Sequence, residues 1–168
     1  YELIPIFKDY KFVIIDSNTQ RILSDSNFNQ KKELCYSAAK NMNVENLCVK
    51  SKIDEHDIQS LSDDELSVSK HVIEENIRVV KAAQFLKSNG AEEFGKLMTE
   101  SHVSLSKYYK VSTLELDKLV DLANSFGALG SKLTGAGFGG AIVTLVKKEL
   151  VEELKKYILN NYPNAKFL

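Results

Sequence analysis

The stretch Ala128-Leu-Gly-Ser-Lys-Leu-Thr-Gly-Ala-Gly-Phe-Gly-Gly-Ala-Ile-Val-Thr-Leu-Val146 decides the fold. Two short extended runs, Ala128 to Leu133 and the strongly β-prone Ala141 to Val146, flank a loop containing Gly135, Gly137, Gly139 and Gly140, half of the chain's eight glycines within six residues. Glycine accepts positive φ and lets another backbone approach with no Cβ in the way, so this spacing fits either a bulged, closely packed hairpin or a loop lining a ligand. Exposed N–H groups in such a turn form an anion-binding concavity that suits phosphate. The absence of a following Gly-Lys-[Ser/Thr] excludes a Walker loop. A strand rather than a helix comes next, which excludes the dinucleotide fingerprint.

Downstream of the hairpin, Leu150, Val151, Leu154 and Ile158 recur at helical spacing from Lys148 to Tyr162, and Pro163 closes that helix before an extended end, Ala165 to Leu168. Upstream, Lys11 to Asp16 (KFVIID) reads as a buried strand ending at the turn-prone Ser17-Asn18. Four amphipathic helices are predicted between these ends. The first runs from Asn27 to Met42, with Phe28, Cys35, Ala38, Ala39 and Met42 on one face. The second opens on a capping box at Ser62-Asp-Asp-Glu65, carries Val72, Ile73, Val80, Ala83 and Leu86 near its buried side, and stops at Asn89-Gly90. The third spans Glu92 to Tyr108, and the fourth follows a second capping box at Ser112-Thr-Leu-Glu115, with Leu116, Leu119, Val120 and Ala123 inward. Asn43 to Leu61 shows no clear period and is expected as loop or short helical turns. Strand, helices, strand, glycine loop, strand, helix, strand is the order of an α+β layer architecture: an antiparallel sheet with helices on one face, of the ferredoxin-like kind.

Composition narrows the function classes. With 168 residues, 22 Lys+Arg against 23 Asp+Glu, a net charge of −1 and 43% apolar residues, the chain reads as a folded, soluble domain. No basic block marks nucleic-acid or anionic-membrane binding, and no apolar run is long enough to span a bilayer. The first twelve residues lack the order of a secretory signal, so a cytoplasmic location is expected. Cys35 and Cys48, without zinc-type spacing, are expected as free thiols.

Gly130-Ser-Lys-Leu-Thr-Gly-Ala-Gly-Phe-Gly-Gly140 followed by AIVTLV resembles the third signature motif of the GHMP kinases, and three further stretches narrow the resemblance to the galactokinases among them. Ile15-Asp-Ser-Asn18 with Arg21 and Asp25-Ser-Asn-Phe-Asn29 is similar to the segment ending their sugar-contacting turn. His71-Val-Ile-Glu-Glu-Asn-Ile-Arg-Val79 resembles their "HVxxENxRV" helix. Phe94-Gly-Lys-Leu-Met98, Ser101-His-Val-Ser-Leu105, Tyr109, Val111-Ser112 and Glu115-Leu-Asp117 resemble their "FGxLMxxSHxSL…YxVSxxELD" stretch.

The resemblance implies a GHMP kinase C-terminal domain over residues 1–168, part of an enzyme that moves the γ-phosphoryl of ATP, with Mg, to the anomeric hydroxyl of D-galactose. Its partners would be galactose, ATP and an N-terminal domain of the same chain. The family's substrate-binding Arg, Ser-rich phosphate loop and catalytic Asp have no counterpart here, so no catalytic residue is assigned and this chain alone is expected to be inactive. Thr134, Gly135, Ala136, Gly137, Phe138, Gly139 and Gly140 are expected to wall the active site. Phe28 stands where a Tyr hydroxyl usually meets the sugar, leaving a ring to stack on it. A non-catalytic sugar and ATP sensor is the alternative function, and a free-standing interaction module a third.

The bare residues carry blander readings too. His102 is expected as a core histidine rather than a base. His71 and Glu75, one helical turn apart, are expected as a modest pair with no metal site. Ser101 and Ser104 are expected to satisfy hydrogen bonds, and Gln30-Lys31-Lys32 to form a solvated helix face.

Overall fold

The computed structural model describes residues 6–19 and 25–168, with the side chains of residues 25–28 outside that description. The described residues build a four-stranded antiparallel sheet from β1 (Tyr10–Asp16), β2 (Gly130–Thr134), β3 (Ala141–Lys147) and β4 (Lys166–Phe167), ordered β2-β3-β1-β4. The long insertion between β1 and β2 is helical: α1 (Asp25–Asn41), α2 (Glu55–Ser60), α3 (Asp63–Lys87), α4 (Ala91–Ser104) and α5 (Leu114–Phe126). The last helix, α6 (Val151–Asn161), joins β3 to β4. This is the expected α+β class with an antiparallel sheet, and each element lies within a few residues of its predicted bounds. The expected placing of the helices on one face is corrected, because α5 and α6 cover one face while α4 packs Phe94 and Met98 on the other.

Alternation along the strands sends Ile15, Leu133, Ile142 and Val146 to one face. There they meet Leu116, Leu119 and Ala123 of α5 with Leu154 and Ile158 of α6, all at the helical spacing read from the sequence. Each of these fully buried Leu and Ile side chains stabilises the fold by roughly 1.5–3 kcal/mol through transfer from water. The opposite face is covered at one end, where Phe12 and Leu145 join Phe7, Met98 and Phe94 in an edge-to-face aromatic group. A separate cluster of Ala38, Ala39, Met42, Leu47 and Ile73 ties α1 to α3.

The edge strand β2 is closed by side chains of α4. Thr99 Oγ1 accepts the Ser131 N–H at 3.4 Å, and His102 Nδ1 accepts the Leu133 N–H at 3.2 Å. Two outward N–H groups that would template a further strand are thereby used. The backbones approach so closely here that Gly95 and Gly130 face one another without Cβ atoms.

The Ser62–Glu65 capping box forms as expected. Two further expectations are corrected. Val80 is 56% exposed, because the C-terminal half of α3 runs beyond the α1 cluster that buries Ile73. The cap of α5 is Thr113, whose hydroxyl accepts the Leu116 N–H, while Ser112 turns its hydroxyl to Asp117 instead. In the irregular segment, Asp54 and Asp57 form a reciprocal capping box that starts α2.

Candidate functional site

The glycine loop crosses from Thr134 to Ala141, which pair across β2 and β3. Gly135, Gly137, Gly139 and Gly140 all have positive φ, at 82°, 80°, 113° and 84°. Phe138 joins them at 57°, a conformation that strains a side chain-bearing residue. Its ring packs on the main core and its N–H donates to the Val111 carbonyl at 2.7 Å, and these two contacts hold it there. Gly137 lies so close to Val111 that a Cβ would overlap the Val111 carbonyl oxygen and sit 2.9 Å from its Cβ. At the other end the Gly140 carbonyl accepts from Ser17. The closely packed hairpin among the sequence readings is thus found for one part of the loop. Gly137, Gly139 and Gly140 are packed into a tight hairpin, while the crest, Gly135 and Ala136, is exposed. Among the described residues no protein acceptor takes the crest's N–H groups.

The wall under the loop is a polar network. Lys110, in the left-handed region at φ 56°, turns the chain from the π-helical turn Leu105–Tyr109 into Val111. Asp117 gathers the Ser106 hydroxyl at 3.0 Å, the Ser112 hydroxyl at 2.5 Å and His102 Nε2 at 3.1 Å. Because His102 Nδ1 accepts a backbone N–H, the proton of the neutral ring sits on Nε2 and points at Asp117. Burial pushes the His102 pKa down, against the pull of Asp117. Both ring nitrogens are occupied in linking α4, α5 and β2, so His102 is a structural histidine.

The two helical motifs meet as an antiparallel pair. His71 Nδ1 lies 2.9 Å from the Ser104 hydroxyl, and the Ser101 hydroxyl donates to Glu75 at 2.6 Å. The expected His71–Glu75 pair gives way to these contacts, because α4 presents two serines one turn apart opposite them. Lys132, on β2 just before the loop, completes the group at 2.6 Å from the Ser101 hydroxyl and 3.2 Å from Glu75, while Arg78 donates to Glu75 at 2.8 Å. No sequence signal marked Lys132, Ser17 or Val111 as partners of this region, since each contact joins residues far apart in the chain.

These burials predict acid lability. Desolvation drives the His71 pKa from 6.5 to about 4, with Glu75 pulling the other way. Burial raises the pKa of Glu75, but hydrogen bonds from Ser101 and Arg78 and the Lys132 charge outweigh it and hold it at about 2 against an ordinary 4.5. The unfolded chain therefore binds protons that the folded one refuses, at His71 below pH 6.5 and at Glu75 below pH 4.5, and stability falls as pH falls through both windows. Urea midpoints should decline from pH 6.5 to about 4 and again towards about 2, the second decline being lost in Glu75→Gln. A midpoint unchanged between pH 7 and 4 would contradict this.

Other candidates stand apart from the loop. Phe28 belongs to α1, but its side chain lies outside the described residues, as does Arg21 altogether. Cys35 and Cys48 are free. Among the described residues Asp54, His56 and Asp57 group closely, yet Asp54 and Asp57 already cap α2 and bind Lys50. No described helix is long and apolar enough to cross a membrane.

Residues 82–164 match the family described as GHMP kinases C terminal, and the chain carries the C-terminal domain of that family. Within it the similarity is to galactokinases. The chain is 40% identical over 160 residues to a galactokinase of Clostridium acetobutylicum, covering 91% of this chain and 41% of that protein. It is 36% identical over 171 residues to one of Streptococcus thermophilus, covering 96% and 44%. Among solved structures, Lactococcus lactis galactokinase complexed with galactose superimposes with a TM-score of 0.87 at 29% identity, covering 100% of this chain and 47% of that one. Methanococcus jannaschii mevalonate kinase superimposes at 0.54. The chain thus spans less than half the length of these relatives.

Proposed function

We propose that this chain is the C-terminal part of a galactokinase, residues 1–168 forming one domain, and that the loop Thr134, Gly135, Ala136, Gly137, Phe138, Gly139, Gly140 walls the site where the γ-phosphoryl of ATP passes to D-galactose. The observation that carries this reading is the exposed crest of the glycine hairpin, its N–H groups open and its base anchored in the core. Opposite φ signs at Gly135, Ala136 and Gly137 suit a concave array of N–H donors. Phosphoryl transfer depends on positioning and on electrostatic stabilisation of the moving group, and preorganised backbone donors contribute to both. The galactokinase relatives and the galactose-bound structural neighbour support the choice of sugar.

Magnesium accompanies ATP in this reading, but the acidic groups described here do not fit it. The Asp54–Asp57 group is taken up by its cap and Lys50, and the loop bears no carboxylate. We assign the metal, with the proton acceptor, to the part of the longer protein that this chain does not span. In the full-length protein, ADP release should depend on D-galactose. Absence of galactose-dependent release would overturn the kinase assignment, and binding of galactose and ATP without release would favour the sensor.

A further inference from the structure

We propose that Ser17 is a positioning residue that locks the exit of the glycine loop by giving both its N–H and its hydroxyl proton to the Gly140 carbonyl. This inference rests on the kinase reading above. Ser17 is fully buried at the end of β1, 123 residues from its partner in sequence. Its N–H lies 2.8 Å and its Oγ 2.7 Å from the same oxygen. A carbonyl has no proton to give, so the Ser17 hydroxyl must donate. Its oxygen is then free to accept, and it takes the Thr19 hydroxyl and the Thr19 N–H, the latter at 3.3 Å. The Ser17 carbonyl accepts from the Tyr162 hydroxyl at 3.2 Å, which extends the chain of bonds to the end of α6.

The loop has two fixed points outside its own strands, Phe138 N–H on Val111 and Gly140 C=O on Ser17. The crest, Gly135 and Ala136, is held out from them. Gly140, with φ 84°, sets the direction in which the chain leaves the crest. A hydroxyl that fills the second lone-pair direction of its carbonyl fixes that peptide plane against rotation, which a single N–H would not do. Ser17 touches no expected ligand; it acts through the loop.

The test uses the full-length protein carrying Ser17→Ala, read by hydrogen exchange and by steady-state kinetics. Exchange of the peptide spanning Thr134 to Gly140 should become about tenfold faster, as loss of one buried hydrogen bond allows. Peptides of α5 and β3 should be unchanged. Turnover should fall about tenfold while the KM for galactose stays within about twofold. Exchange and turnover both within about twofold of wild type would overturn the proposal, and so would faster exchange spread over the whole sheet. Should Ser17→Ala fail to fold, Thr19→Val, which removes the hydroxyl that orients Ser17, should speed loop exchange about threefold, and unchanged exchange there would equally overturn it. A wild-type protein without galactose-dependent turnover defeats the kinase reading and leaves the exchange comparison to decide on Ser17 alone.

Discussion

Gly130→Ala is expected to prevent the domain from folding. A Cβ at Gly130 would overlap the carbonyl oxygen of Gly95 and lie 2.8 Å from its Cα, and a Cβ at Gly95 would overlap the carbonyl of Leu129 in return. Both obstacles are backbone, held by helix α4 on one side and strand β2 on the other, so no rotamer change relieves them. Separating the two elements would also break the bonds from Leu133 N–H to His102, Ser131 N–H to Thr99 and Lys132 to Ser101. Overpacking alone costs about 1–3 kcal/mol, and each buried polar group left unpaired about 1–3 kcal/mol more. The total rivals the 5–15 kcal/mol that typically holds a whole domain. Gly127→Ala provides the contrast: it has φ 110° but nothing within 4 Å of a new Cβ, so only the backbone strain of about 1–2 kcal/mol applies. Denaturant titration should find Gly127→Ala folded and modestly weakened, and Gly130→Ala unfolded. A Gly130→Ala protein as stable as Gly127→Ala would refute the close α4–β2 contact.

The second large effect is on turnover. Gly137→Ala in the full-length protein combines a residue at φ 80° with a Cβ driven into Val111. Relief requires the loop to lift from Val111, and that lift breaks the Phe138 N–H bond which holds the crest in place. A displacement of about 1 Å in a positioning element costs about a hundredfold in rate. The crest lies at the free end of the hairpin, away from the α4–β2 contact, so the stability loss should stay near 1–3 kcal/mol. A folded Gly137→Ala enzyme with turnover about a hundredfold down is the expected result. Turnover within twofold of wild type would show that the loop does not bear on the chemistry.

Periodicity made the elements legible. Leu116, Leu119, Val120 and Ala123 face the sheet as their spacing required, and the alternation in AIVTLV placed Ile142 and Val146 on the core side. Period reports a face, however, and not what covers it. Val80 lies on the apolar stripe of α3 yet meets solvent, because α1 ends its contact earlier. Ser112 fitted the capping-box pattern, but Asp117 in the first turn of the following helix captured its hydroxyl and left the cap to Thr113. The glycine cluster announced an unusual turn, but which glycines pack and which stand exposed depends on Val111 and Ser17, brought there by the fold. The His71–Ser104 and Glu75–Ser101 contacts were equally hidden, since they arise only when α3 and α4 lie side by side.

The most direct measurement is hydrogen exchange over Thr134 to Gly140 in the full-length protein, with and without galactose and a non-hydrolysable ATP analogue. If the crest N–H groups of Gly135 and Ala136 meet the nucleotide's phosphates, their exchange slows markedly when both ligands are present. Unchanged exchange across that loop, while other segments of the protein gain protection, would place the phosphates elsewhere and contradict the role given to the glycine hairpin.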